Sequence, residues 1–209
     1  MKQTFRSGPE ETSLSKVLSA QPAAAESPAQ SSAWLRSAGI ALAASALVAV
    51  CAHIAISLYF TPVPLTMAPF AVLLLGLLLS QRMAAAALGA YLIEGALGLP
   101  VFAPSPLYGL AHLVGPTGGY LIAYPAAAAL ISFLWRRSNR SFTAALASAA
   151  TGNLVILAGG ALWLAALTHA SAQAAFTTAV LPFLPGDALK IASAAGLVVG
   201  FERMRRIAR

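Results

Sequence analysis

The strongest constraint on this chain is a series of long apolar segments that begins beyond Arg36 and is broken only by short polar turns. A bilayer core is crossed by about 20 predominantly apolar residues in a helix. Segments of that kind recur at 37–60, 65–80, 83–102, 117–135, 142–168 and 181–201. Lipid offers no partner for backbone N–H and C=O groups, so a spanning segment must satisfy them internally, as a helix does. The expectation is an all-α, polytopic membrane protein with six transmembrane helices within residues 34–206. Composition agrees, since charged residues make up 9% of the chain against about 25% in a soluble domain. Pro62 and Pro64 mark the first turn, because proline ends helices. Residues 1–33, rich in Ser, Ala, Gln and Pro, predict a disordered cytoplasmic tail. That tail separates the start of the chain from the first apolar stretch, unlike a signal peptide. Residues 207–209 form a short basic C-terminal end.

The cations supply an orientation. Lys2, Arg6, Lys16 and Arg36 precede the first span, and Arg82 lies in the turn after the second. Arg136, Arg137 and Arg140 follow the fourth span, and Arg203, Arg205, Arg206 and Arg209 follow the sixth. Of the 13 Lys and Arg residues only Lys190 is left over, and it lies inside a span. The positive-inside rule then puts both termini of a multi-pass protein, solvated by membrane lipid, in the cytoplasm; the expected location is the bacterial inner membrane. An odd span count would put the C-terminal arginines outside. The net charge of +7 does not imply nucleic acid, because the cations sit between apolar runs instead of clustering with aromatics on a polar surface. Cys51 is the single cysteine, which excludes an internal disulfide framework and predicts a small apolar filler.

Charged side chains inside a span cost about 2.5–3.5 kcal/mol on insertion scales, so each is a functional hypothesis. Asp187 and Lys190, three positions apart, share a helix face and follow the helix entry Leu181-Pro-Phe-Leu-Pro-Gly186. An acid in a first turn is favoured by the helix dipole, so a purely structural pair is one reading. The other is a carboxylate acceptor and an ammonium donor offered to a solute inside the bundle. Glu94, mid-span, pairs with a cation, binds the ligand or acts as a protonated interhelical donor. The run Gly115-Pro-Thr117-Gly118-Gly119-Tyr120 allows close backbone approach to a ligand or a helix, and it lacks the Lys of a phosphate loop. Ala41, Ser45 and Ala49, at four-residue spacing, form a small-residue face fit for a partner helix. His53, His112 and His169 lie far apart in sequence and predict no metal site. No cofactor is expected, and no nucleophile–base constellation marks an enzyme.

Three motifs in order resemble BioY, the biotin-binding S-component family of energy-coupling factor transporters. They are Gly98-Leu-Pro-Val-Phe-Ala103, Gly115-Pro-Thr-Gly-Gly-Tyr120 and Pro182-Phe-Leu-Pro-Gly-Asp187-Ala-Leu-Lys190, with Pro62-Val-Pro-Leu-Thr66 opening the second span. The likeness covers roughly 33–206. It departs at Met67-Ala-Pro69, where many members carry Gln, and at Pro104-Ser-Pro-Leu-Tyr108, where many carry a Gly-rich loop. The resemblance implies a non-enzymatic, six-helix, high-affinity biotin-binding subunit. It would work with a transmembrane coupling protein and an ATPase pair; homo-oligomerisation is left open. By motif, Asp187 and Lys190 contact the ligand and the 115–120 run walls the site. Either Asp187 accepts from the ureido group while Lys190 pairs with the carboxylate, or Lys190 donates to the ureido oxygen. The alternatives are a subunit for another small carboxylate vitamin and a membrane scaffold.

Overall fold

The computed structural model describes residues 28–208, so the tail expected at 1–33 lies almost wholly outside the described residues. The helix bundle lies within the compact unit Ser37–Arg209. Helix α1, Pro28–His53, ends seven residues before the expected limit. The 54–67 segment turns instead into a two-stranded antiparallel hairpin, β1 (Ala55–Ile56) and β2 (Leu65–Thr66), in which Ala55 faces Thr66. Pro62 and Pro64 fall in its turn, where a missing N–H costs nothing.

Helix α2, Ala68–Leu78, opens with proline in its first turn, where the N–H would be unpaired anyway. Helix α3, Gln81–Ala96, ends at a turn in which Gly98 adopts φ 92°, a conformation costly for any residue with a Cβ. The short α4, Leu110–Val114, precedes α5, Gly118–Arg137, which contains Pro125. Helix α6, Phe142–Thr168, starts where the Ser141 side chain accepts from Ala144 N and ends at His169 with φ 53°. Helix α7, Ala172–Ala179, is capped in the same way by Ser171. Helix α8, Leu184–Ile207, absorbs Arg203, Arg205 and Arg206, expected beyond the last span; Arg209 lies outside the described residues.

Four of these helices, α1, α5, α6 and α8, are long and apolar enough to cross a membrane, while α2 is a shorter apolar helix. The six expected segments therefore map onto helices of unequal length. The second shortens because Leu65 and Thr66 are spent in the hairpin, and the third because Gly98 and Pro100 end α3 early. Large apolar side chains in mid-helix point outwards, with Leu154 64% and Leu189 72% exposed. Such exposure is stable against lipid, which marks an integral membrane protein.

The helices alternate in direction. Ser132 Oγ, late in α5, donates to the Leu79 carbonyl in the α2–α3 turn at 2.7 Å, and Arg140 pairs with Glu202 near the end of α8 at 2.8 Å. These contacts gather Arg82, Arg136, Arg137, Arg140 and the α8 arginines at one end. A core of Leu73, Ile131, Trp135, Ala195 and Val198 packs beneath them. The hairpin, the 97–117 loop and α7 close the opposite end, whose loops carry no Lys or Arg among the described residues.

Candidate ligand-binding site

A cavity opens inside the bundle towards the hairpin end, with about 590 Å³ of space between its walls, solvent at the mouth included. Its polar wall is built on three helices. Proline in its first turn starts α8 and places Asp187 one turn inside it and Lys190 on the same face. Lys190 Nζ donates to Asp187 Oδ1 at 3.0 Å, and Asn153 Nδ2 from α6 donates to Asp187 Oδ2 at 3.0 Å. All three are buried, at 4%, 6% and 4% exposure for Asp187, Lys190 and Asn153, and all three line the cavity. The carboxylate has lone pairs to spare beyond these two bonds, and the ammonium has two further protons.

Opposite stand aromatic walls. Tyr91 and Tyr124 stack with centroids 6.4 Å apart, and Tyr120 lies 6.1 Å from Phe183. Among the described residues, two sealed side-chain polar atoms lack a hydrogen-bond partner, Tyr91 Oη and Asn153 Oδ1, and both residues line this cavity. Buried polar groups are normally paired. The walls of this cavity thus carry an ion pair with donors and acceptors to spare beside a hydroxyl and an amide oxygen that find no protein partner.

The expected residues separate into groups. Asp187, Lys190, Thr117 and Tyr120 meet at the cavity. Gly115, Gly118 and Gly119 do not line it; they set the packing behind it. The Gly115 carbonyl accepts from Trp163 Nε1 at 2.9 Å. A Cβ on Gly118 would strike the Leu113 carbonyl, and one on Gly119 would strike Trp163 and the Gly159 carbonyl. The glycines thus let α5 and α6 close up, which turns Tyr120 inwards, where its hydroxyl donates to the Ala179 carbonyl at 2.5 Å.

Two expectations are corrected. Glu94 is not in the cavity wall; its carboxylate makes an interhelical bond to Ser45 Oγ on α1, but as the acceptor and not as the protonated donor of the sequence reading. The face of Ala41, Ser45 and Ala49 is not free for a partner. Ser45 is 1% exposed and Ala41 and Ala49 pack against the core, because the small residues bring α1 onto α3. Residues not anticipated at the site are Asn153, Tyr91, Tyr124, Phe183 and His112. Asn153 carried a usable signal, an amide inside an apolar span. The aromatics carried none, since aromatic residues are common in any apolar segment. No cluster of metal ligands occurs among the described residues.

Comparison with known proteins bears on the whole of this architecture. A crystal structure of the S-component for biotin from an ECF-type ABC transporter shares the fold, with a TM-score of 0.74 at 24% identity over 86% of this chain and 95% of that one. A protein of Pyrococcus horikoshii named a probable biotin transporter BioY is 42% identical over 160 residues, 77% of this chain and 90% of its own length. The biotin transporter BioY of Thermotoga maritima is 35% identical over 160 residues, 77% of this chain and 92% of its own. The BioY family model matches residues 22–207, a span that contains the cavity, both of its closing loops and all three sequence motifs, and on that ground the chain belongs to the BioY family.

Proposed function

We propose that this protein is the biotin-binding membrane subunit of an ECF-type uptake system. The observation that carries the reading is the buried Asn153–Asp187–Lys190 cluster at the wall of a cavity that opens at the hairpin end. A ureido group has two N–H donors and one carbonyl acceptor. Asp187 and Asn153 Oδ1 supply acceptors, and Lys190 supplies the donor for the carbonyl oxygen. The three side chains touch one another, so they address one polar head of a ligand and not two separated ends. The apolar and aromatic remainder of the cavity suits the fused ring and the alkyl chain.

With the cationic end in the cytoplasm, the cavity faces outside and both termini face inside. The two shorter helices, α2 and α3, complete a six-helix membrane domain in the cytoplasmic membrane. No phosphate-binding loop occurs in the sequence, so concentrative uptake draws on an ATPase pair and a coupling protein from other chains. Binding of tritiated biotin to the purified full chain tests the reading. Saturable binding that is lost in Asp187→Ala is expected. Absence of saturable binding by the wild-type chain sinks it.

A further inference from the structure

We infer that His112 is the outer anchor of the bound ligand, the group that receives the carboxylate at the end opposite the ureido head. The inference rests on the proposed binding of biotin and gives a role to a buried histidine of the cavity wall.

His112 is 4% exposed and sits in α4. It lines the inner cavity and also the vestibule formed by residues such as Ser57, Thr61 and Ser105. Pro64, Ala103 and Thr117 share this junction, whereas Asp187, Lys190 and Asn153 line only the inner space of these two. The walls therefore run from the Asp187 cluster at one end, past the tyrosines, to His112 at the mouth. A ligand held by its head at the cluster points its tail at His112.

The ring is fixed for that task. Nδ1 lies 3.1 Å from the Leu107 carbonyl. A carbonyl only accepts, so Nδ1 carries a proton and the other nitrogen is left for a second partner. Nε2 has no partner among the described residues and is not among the sealed unpaired atoms, so it opens on the free space. The Phe102 ring, 5.0 Å away at 38°, backs the imidazole. Lys190 is the only Lys or Arg in the walls of cavity and vestibule among the described residues, and it is already paired with Asp187. Of the described residues that line the cavity and vestibule, His112 is the one group besides Lys190 able to take a positive charge, and it can donate from Nε2 to a carboxylate at the mouth. Such a charge-assisted bond is among the stronger ones a side chain makes.

The test compares biotin with biotinamide on the full chain in detergent, by competition against tritiated biotin. His112→Asn keeps an N–H where Nδ1 stands and removes Nε2; His112→Gln puts an amide nitrogen near the place of Nε2. In His112→Asn, affinity for biotin should fall about tenfold to a hundredfold while affinity for biotinamide stays within about twofold. His112→Gln should recover part of the loss. Equal losses for acid and amide assign His112 to packing and overturn the inference, as does an unchanged affinity for biotin. Those results leave biotin binding itself standing; only a wild-type chain that binds no biotin removes both.

Discussion

Removing the ammonium of Lys190 should damage the fold and the site by separable amounts. In Lys190→Met the Asp187 carboxylate keeps the Asn153 bond but loses the ion pair at 3.0 Å, in surroundings that leave the two side chains only 6% and 5% exposed. Stranding a buried charge in this way costs about 3–5 kcal/mol. The double change Lys190→Met with Asp187→Asn removes both charges and leaves an amide oxygen for Asn153, so most of that loss should return, since neutral replacements of buried pairs are close to isoenergetic. Binding should not return, because the ligand loses its charged acceptor and its donor together. Thermal unfolding of the full chain in detergent, followed by loss of the monodisperse size-exclusion peak, reads stability, and tritiated biotin reads the site. The ordering expected is single variant least stable, double variant near wild type, and both without binding. A double variant as unstable as Lys190→Met would show that the cluster is held by shape and not by charge compensation. A double variant that binds biotin normally would remove the pair from recognition.

Other outcomes rest on the same geometry. Tyr91→Phe removes a buried hydroxyl that has no protein partner, so stability should hold or rise, by up to about 1–3 kcal/mol, while biotin affinity falls by about 0.5–1.5 kcal/mol, measured by the two assays above. Gly160→Val places a side chain in the Tyr120 ring and should cost about 1–3 kcal/mol by overpacking; a melting curve that matches wild type would contradict the α5–α6 fit. Ser45→Val leaves the Glu94 carboxylate without its α1 donor, and a stability loss of about 1–3 kcal/mol is expected, with Ser45→Thr restoring it. Reporter fusions after Arg140 and after Arg209 should both register cytoplasm, and an external signal at either point would overturn the proposed orientation.

Membrane insertion and the end-to-end polarity were legible in the sequence because both depend on composition along the chain. Hydrophobic length and loop charge act on each segment alone, so α6 appears at the expected 142–168 and the arginines gather at one end. Asp187 and Lys190 were legible for the same reason, since a charge in an apolar run and a three-residue spacing are local facts. Element ends were less so. The loss of 54–60 and 65–66 from helix to a hairpin depends on strand pairing, which no single segment displays.

What only the tertiary structure decided is which neighbours those residues meet. The face of Ala41, Ser45 and Ala49 is the same pattern whether it packs inwards or outwards; the carboxylate of Glu94 across the interface turned it inwards. Gly118 and Gly119 have the backbone freedom of ligand-contacting glycines, yet they lie against the Leu113 carbonyl and Trp163. Asn153 is 34 positions from Asp187, and His112 reaches the mouth of the cavity only because the 97–117 loop folds over it. Sequence determines the chemistry each position can offer, because that is a property of one side chain. The site is a coincidence in space of groups from distant helices, and the packing that creates it is decided by how all the helices fit at once.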